Sequence, residues 1–182
     1  MRLILLIAAL VATTLSHAGP SNPNDDLAQF MAERGLVSRL GAVGSKVEAR
    51  ASELVLNAMA FLGVPYKLGG NTATTGFDCS GFVRAIYEQT AGMMLPRRAD
   101  QQAAATQSIN KADLQPGDLV FFNTLRRAFS HVGIYVGNGK FIHSPRAGAE
   151  VRVEDMDVSY WAKRFDGARR VAADDTQTAA IH

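Results

Sequence analysis

A single cysteine and two strand-borne histidines are the residues in this chain with the types and spacing for nucleophilic chemistry. Cys79 lies in Phe77-Asp78-Cys79-Ser80-Gly81-Phe82. Asp78 is suited to cap a helix, and Cys79, Phe82, Val83 and Ile86 fall at offsets 0, 3, 4 and 7, one face of that helix. The thiol therefore sits in the first helical turn, where unpaired backbone N–H groups favour the thiolate. A nucleophilic thiol also needs a base. Of the four histidines, His17 lies in the apolar leader and His182 in a polar tail, which leaves His131 and His143.

His131 opens the run His131-Val132-Gly133-Ile134-Tyr135-Val136, with Val132, Ile134 and Val136 on one strand face and His131, Gly133 and Tyr135 on the other. Gly133 leaves room on the histidine face, and the Cys79 helix is the expected neighbour there. Whether His143 shares that face depends on the turn at Gly137-Asn138-Gly139. A regular two-residue hairpin would pair Ile134 with His143 and separate the two rings. A three-residue loop or a bulge pairs Gly133 with His143, making the histidines diagonal neighbours about 7 Å apart along one face. In that arrangement Cys79 attacks a carbonyl, His131 moves the proton and His143 orients the His131 ring. On spacing alone two other readings stay open: a packed cysteine with two hydrogen-bonded strand histidines, and a zinc site made of the same three residues. The zinc reading lacks the usual compact ligand pair.

The elements that must hold these residues follow from periodicity. Leu54, Val55, Ala58 and Leu62 form a helical stripe ending at Gly63 and Pro65, and a glycine- and threonine-rich loop leads to the Cys79 helix. After Leu95-Pro96 a short polar helix is expected up to Gln107. Beyond Pro116-Gly117 the period becomes two, predicting strands at 118–122, 131–136, 140–144, 151–153 and 165–171. Helices first and strands second predict an α+β domain with helices packed on one face of an antiparallel sheet.

Met1-Arg2, the apolar run Leu3 to Ala12 and Ser16-His17-Ala18 have the form of a secretory signal peptide cut after Ala18. The run is shorter than the roughly 20 residues of a membrane span. No cysteine lies near the cut, so an exported protein that is not a lipoprotein is expected. The organisation expected is 1–18 signal peptide, 19–47 linker with a helix, 48–172 catalytic domain and 173–182 flexible tail. A formal net charge of +2 over 182 residues gives no footprint for nucleic acid. One cysteine in an exported chain cannot form an internal disulfide, so it is a reactive thiol, an intermolecular link or a buried apolar residue.

In order along the chain, Gly63-Val64-Pro65-Tyr66-Lys67-Leu68-Gly69-Gly70, Phe77 to Phe82, Leu95-Pro96-Arg97, Leu114 to Phe122, Ser130 to Val136 and Phe141-Ile142-His143 resemble the blocks of the NlpC/P60 cysteine peptidases. The resemblance covers residues 48–172. It implies a reduced papain-like α+β fold, no metal or organic cofactor, and hydrolysis of peptide bonds in the stem peptides or cross-links of peptidoglycan. It assigns Cys79 as nucleophile, His131 as base and His143 as the third, polar member. Tyr66 takes the oxyanion or substrate side. Asp78 and Ser80 match positions that some relatives use for a free substrate amine, and Arg97 belongs to the Leu-Pro-Arg block. That block usually continues Thr-Ser, whereas this chain has Arg98-Ala99, which leaves the cleft edge open. No wall-binding repeat is visible, so the resemblance implies recognition by the catalytic domain alone or with a partner protein. Two alternatives are a non-catalytic wall-binding or regulatory module on the same fold, and an amidase or acyltransferase acting on another substrate.

Overall fold

The computed structural model describes residues 36–172. The expected signal peptide, the first part of the linker and the tail lie outside the described residues. Helix α1 (Leu36–Met59) runs without a break across the expected boundary at 47/48. Its stripe buries Leu54 and Ala58. Leu62 falls beyond the helix end and is exposed, because the chain tightens into i to i+3 bonds, Phe61 N–H to Ala58 O and Leu62 N–H to Met59 O.

A two-stranded ribbon, β1 (Asn71–Thr72) with β2 (Gly76–Phe77), precedes α2 (Cys79–Ala91). The stripe of α2 lies where its spacing puts it: Phe82, Val83 and Ile86 are fully buried, each stabilising the fold by about 1.5–3 kcal/mol relative to exposure. The left-handed Gly92 closes the helix, its N–H bonded to Glu88 O. The polar helix α3 (Ala99–Ala104) follows Leu95-Pro96.

The remaining strands form one antiparallel sheet: β3 (Gln107–Ile109), β4 (Leu119–Phe122), β5 (His131–Gly137), β6 (Lys140–His143), β7 (Arg152–Asp155) and β8 (Phe165–Arg170), in the order β3-β8-β4-β5-β6-β7. Strand β3 was not expected. The sheet has two unlike faces. Leu119, Phe121, Val132, Ile134 and Ile142 pack with α1, α2 and α3 into a largely aliphatic core. Val120, Phe122 and Phe141 pack with Met156 and with Trp161 of the one-turn helix α4 (Ser159–Ala162) into a second, aromatic cluster. All of β4 is therefore buried. No described helix is long and apolar enough to cross a membrane.

The hairpin resolves the parity question by a bulge. Gly137 pairs with Lys140 around the turn Asn138-Gly139, whereas Tyr135 pairs with Phe141 and Ile134 with Ile142. Val136 is the extra residue. The three-residue loop pairing Val136 with Lys140 is not formed, but the shift it was needed for occurs, and His143 reaches the face of His131.

Candidate active site

Backbone contacts hold Cys79 in place. Asp78 is the N-cap of α2: its Oδ1 accepts from Gly81 N–H at 2.8 Å, and its own N–H bonds Gly70 O at 3.1 Å. The loop at Gly70 presses so closely on the first turn that a Cβ on Gly81 would lie 2.1 Å from Gly70 O. Only glycine permits that approach. The Asp78 carboxylate also accepts from Gly69 N–H at 3.0 Å and from both terminal guanidinium nitrogens of Arg97, at 3.0 and 2.6 Å. Arg97 donates a further bond to Ser80 Oγ at 3.0 Å. Asp78, Ser80 and Arg97 thus form one clamp beside Cys79.

Cys79 is half-buried. Burial is the main cause that pushes its thiol up to about 11, with the Asp78 charge adding to it and backbone N–H groups of Val132, Ser80 and Cys79 itself opposing. The Val132 contact places the sulfur beside the residue that follows His131. One residue past His143, the buried Ser144 Oγ donates to Phe77 O at 2.7 Å. The ends of β5 and β6 are therefore both fastened at the N-terminus of α2.

The approach of α2 differs from the sequence expectation. The helix packs on the Val132 and Ile134 face, and the room beside Gly133 is taken by the neighbouring strand: a Cβ there would meet Phe141 Cδ2 at 2.7 Å, Ile142 O at 2.9 Å and His143 Cβ at 3.1 Å. The long Phe141 side chain fills that gap, so Cys79 meets β5 near its start, at the Val132 N–H, and not across the histidine face. The two rings do share a face. His131 Nε2 and His143 Nδ1 are 2.7 Å apart. Because these nitrogens are spent on each other, the rings do not direct free lone pairs at a common ion as a zinc site would require.

Three residues that the sequence reading missed complete this side. His143 Nε2 faces Glu154 Oε1 at 3.8 Å, within ion-pair range but longer than a hydrogen bond. Glu154 also accepts from Trp161 Nε1 and from Arg152. The Trp161 ring stacks on His131 at 5.5 Å between centroids and meets His143 edge-on at 5.1 Å. Strand β7 pairs His143 with Arg152 and Phe141 with Glu154, which puts both charged residues on the histidine face. That parity is visible in the sequence only once the β6–β7 register is known.

The charges set the tautomers. The Glu154 carboxylate, held down at about 2 mainly by His143, favours a proton on His143 Nε2. His143 Nδ1 then accepts Nε2–H of His131, and His131 Nδ1 is left unprotonated, as a base requires. Burial, with repulsion from His143, lowers His131 well below its ordinary value, against the pull of Glu154. Burial likewise lowers His143.

Tyr66 is held by its backbone: its N–H bonds Ala149 O at 2.8 Å, and it bridges to Phe77. Partial burial, then the nearness of Cys79 and Asp78, raises its phenol. Its side chain thus lies within electrostatic reach of the sulfur.

The NlpC/P60 family model matches residues 63–170. The chain belongs to the NlpC/P60 family. It is 31% identical to the probable endopeptidase NlpC homolog of Haemophilus influenzae, over 93% of this chain and 97% of that one. It is 42% identical to the murein DD-endopeptidase MepH of Escherichia coli, over 67% of this chain and 46% of MepH. The Bacillus subtilis gamma-DL-glutamyl hydrolase is 41% identical over 64% of this chain and 28% of its own length. The chain thus spans less than half of these last two relatives. Among solved structures, the NlpC/P60 domain of the peptidoglycan hydrolase SagA matches with a TM-score of 0.59 at 33% identity, over 66% of this chain and 98% of that domain. These neighbours agree with the papain-like α+β fold.

Proposed function

We propose that this protein is an exported thiol endopeptidase that hydrolyses amide bonds of peptidoglycan peptides through an acyl-enzyme. The observation carrying this reading is the chain of ring contacts from His131 through His143 to Glu154, ending beside a helix N-terminus that bears the sole cysteine. As the Cys79 sulfur attacks the scissile carbonyl carbon, its proton passes to His131 Nδ1. The carbonyl oxygen gains the negative charge and is stabilised by the Cys79 N–H and the Tyr66 hydroxyl. His131 returns the proton to the leaving amine, and a thioester remains. Water, deprotonated by His131, then releases the acid and restores the thiol.

Two bonds are open to such an enzyme: the D-alanyl to diaminopimelate cross-link between stems, and the γ-D-glutamyl to diaminopimelate link within one stem. Asp78 supports the first. A site that grips a free substrate amine needs an unspent carboxylate, and both Asp78 oxygens are already occupied by Gly69, Gly81 and Arg97. A relative named as a murein DD-endopeptidase is in keeping with that choice. Digestion of purified muropeptides followed by mass analysis tests it. Cross-linked dimers are expected to fall to monomers with wild-type protein and to persist with Cys79→Ala. Identical fragments from the two proteins would refute the peptidase reading, and cleavage confined to single stems would overturn the choice of bond.

A further inference from the structure

Beside the clamp lies a groove of about 390 Å³, open to solvent and lined by Arg84, Met94, Leu95, Pro96, Arg97 and Gln101. It is a built feature. The fully buried Gln102 donates through Nε2 to Ser80 O at 3.0 Å and to Pro96 O at 2.9 Å, fixing the Leu95-Pro96 wall to the first turn of α2. Arg97 belongs both to this wall and to the Asp78–Ser80 clamp, so one side chain links the groove to the residues that flank Cys79.

Arg84 is the unexplained group in it. The half-buried arginines elsewhere have partners: Arg97 pairs with Asp78, and Arg170 with Asp118. Arg84, on α2 one turn beyond Ser80, has no hydrogen bond or ion pair among the described residues, and its Nε is buried without an acceptor. Its two terminal nitrogens likewise have no partner among the described residues but are not buried, so they are what the side chain can offer an outside acceptor. Gln101 also lines the groove. Its Oε1 accepts from Arg98 N–H, which leaves the two amide hydrogens as what it can offer. The chemistry available is thus one uncompensated cation, a planar fork of N–H donors and a short apolar wall.

We propose that this groove binds a carboxylate of the substrate peptide, with Arg84 as its principal donor, and so acts as a specificity site beside the nucleophile. The proposal rests on the peptidase reading for the identity of the ligand, a carboxylate-rich stem peptide. A guanidinium fork matches the two oxygens of a carboxylate, and a carboxamide offers it only one acceptor.

The test uses the Cys79→Ala protein, so that nothing turns over, with a soluble stem tetrapeptide bearing free carboxylates and the same peptide carboxamidated. The free acid is expected to bind tenfold or more tightly than the amide, roughly the worth of one charged hydrogen bond. The difference should vanish in Cys79→Ala/Arg84→Gln while the melting temperature is unchanged. In the active protein, Arg84→Gln should raise KM for acid substrates and leave kcat within about twofold, the signature of lost binding. Equal affinity for acid and amide, a preference that survives Arg84→Gln, or no binding of either peptide would overturn the proposal. If wild-type protein cleaves no muropeptide but the acid preference is present and depends on Arg84, the peptidase reading fails and the groove stands.

Discussion

The two faces of the sheet support the site in different ways. On the aliphatic face, Cys79 is positioned by backbone: a helix cap, the loop at Gly70 and a strand N–H. On the aromatic face, the histidines are positioned by rings and one carboxylate. Steric fit therefore controls where Cys79 is, and electrostatics controls the state of the His131 and His143 rings. Damage to one side should read out in stability and damage to the other in rate.

The largest break in that contrast is His131→Ala. It removes the proposed base but leaves the aliphatic core untouched, so kcat on muropeptides is expected to fall by about 10³-fold, within the range for general-base loss, with circular dichroism unaltered. Gly81→Ala acts on the other side. Its Cβ would collide with a backbone carbonyl, and about 3 kcal/mol of destabilisation is expected, a drop of about 10 °C in melting temperature. Activity below that temperature should fall as well, because the same carbonyl holds the residue before Cys79. A variant that loses stability yet keeps full activity would show that the loop does not serve as the positioning device.

Glu154→Gln gives the smallest and most specific effect. Glu154 raises His131 and His143 against burial, so its loss lowers both further and moves the acid limb of kcat/KM to lower pH, with kcat reduced about tenfold as the ring tautomer is less well held. The stability profile sharpens the same point. The buried histidines are neutral when folded but take up protons below 6.5 when unfolded, so their contribution is full above 6.5 and declines as pH falls. Glu154, depressed from 4.5 to about 2, contributes above 4.5 and loses that contribution between 4.5 and about 2. Melting temperature should therefore decline on acidification in two stages, and Glu154→Gln should remove the lower one.

What the sequence made legible follows the same division. The α2 stripe, its Asp78 cap, the strands and the need for a register shift at Gly137 to Gly139 could all be read, because they rest on local periodicity and turn chemistry. The aromatic side could not. Trp161 lies in a helix of one turn, too short to show a period, and Glu154 reaches His143 across a connection, residues 144–151, that leaves the register undetermined. The role assigned to Gly133 went astray for a related reason: an open position on a strand says that something approaches, and here a neighbouring side chain, Phe141, approaches first.

The high ionisation point of Cys79 bears on how this protein meets reagents other than its substrate. A thiol pushed up to about 11, mainly by burial, is held largely in its neutral form at neutral pH. Simple alkylating agents, which act on the thiolate alone, should therefore label it slowly. Under the proposed mechanism, an electrophile shaped to place a carbonyl between the sulfur and Tyr66 would draw the proton to His131 and react far faster. Ordinary thiol labelling would then understate what this cysteine can do, and a substrate-shaped probe would report it.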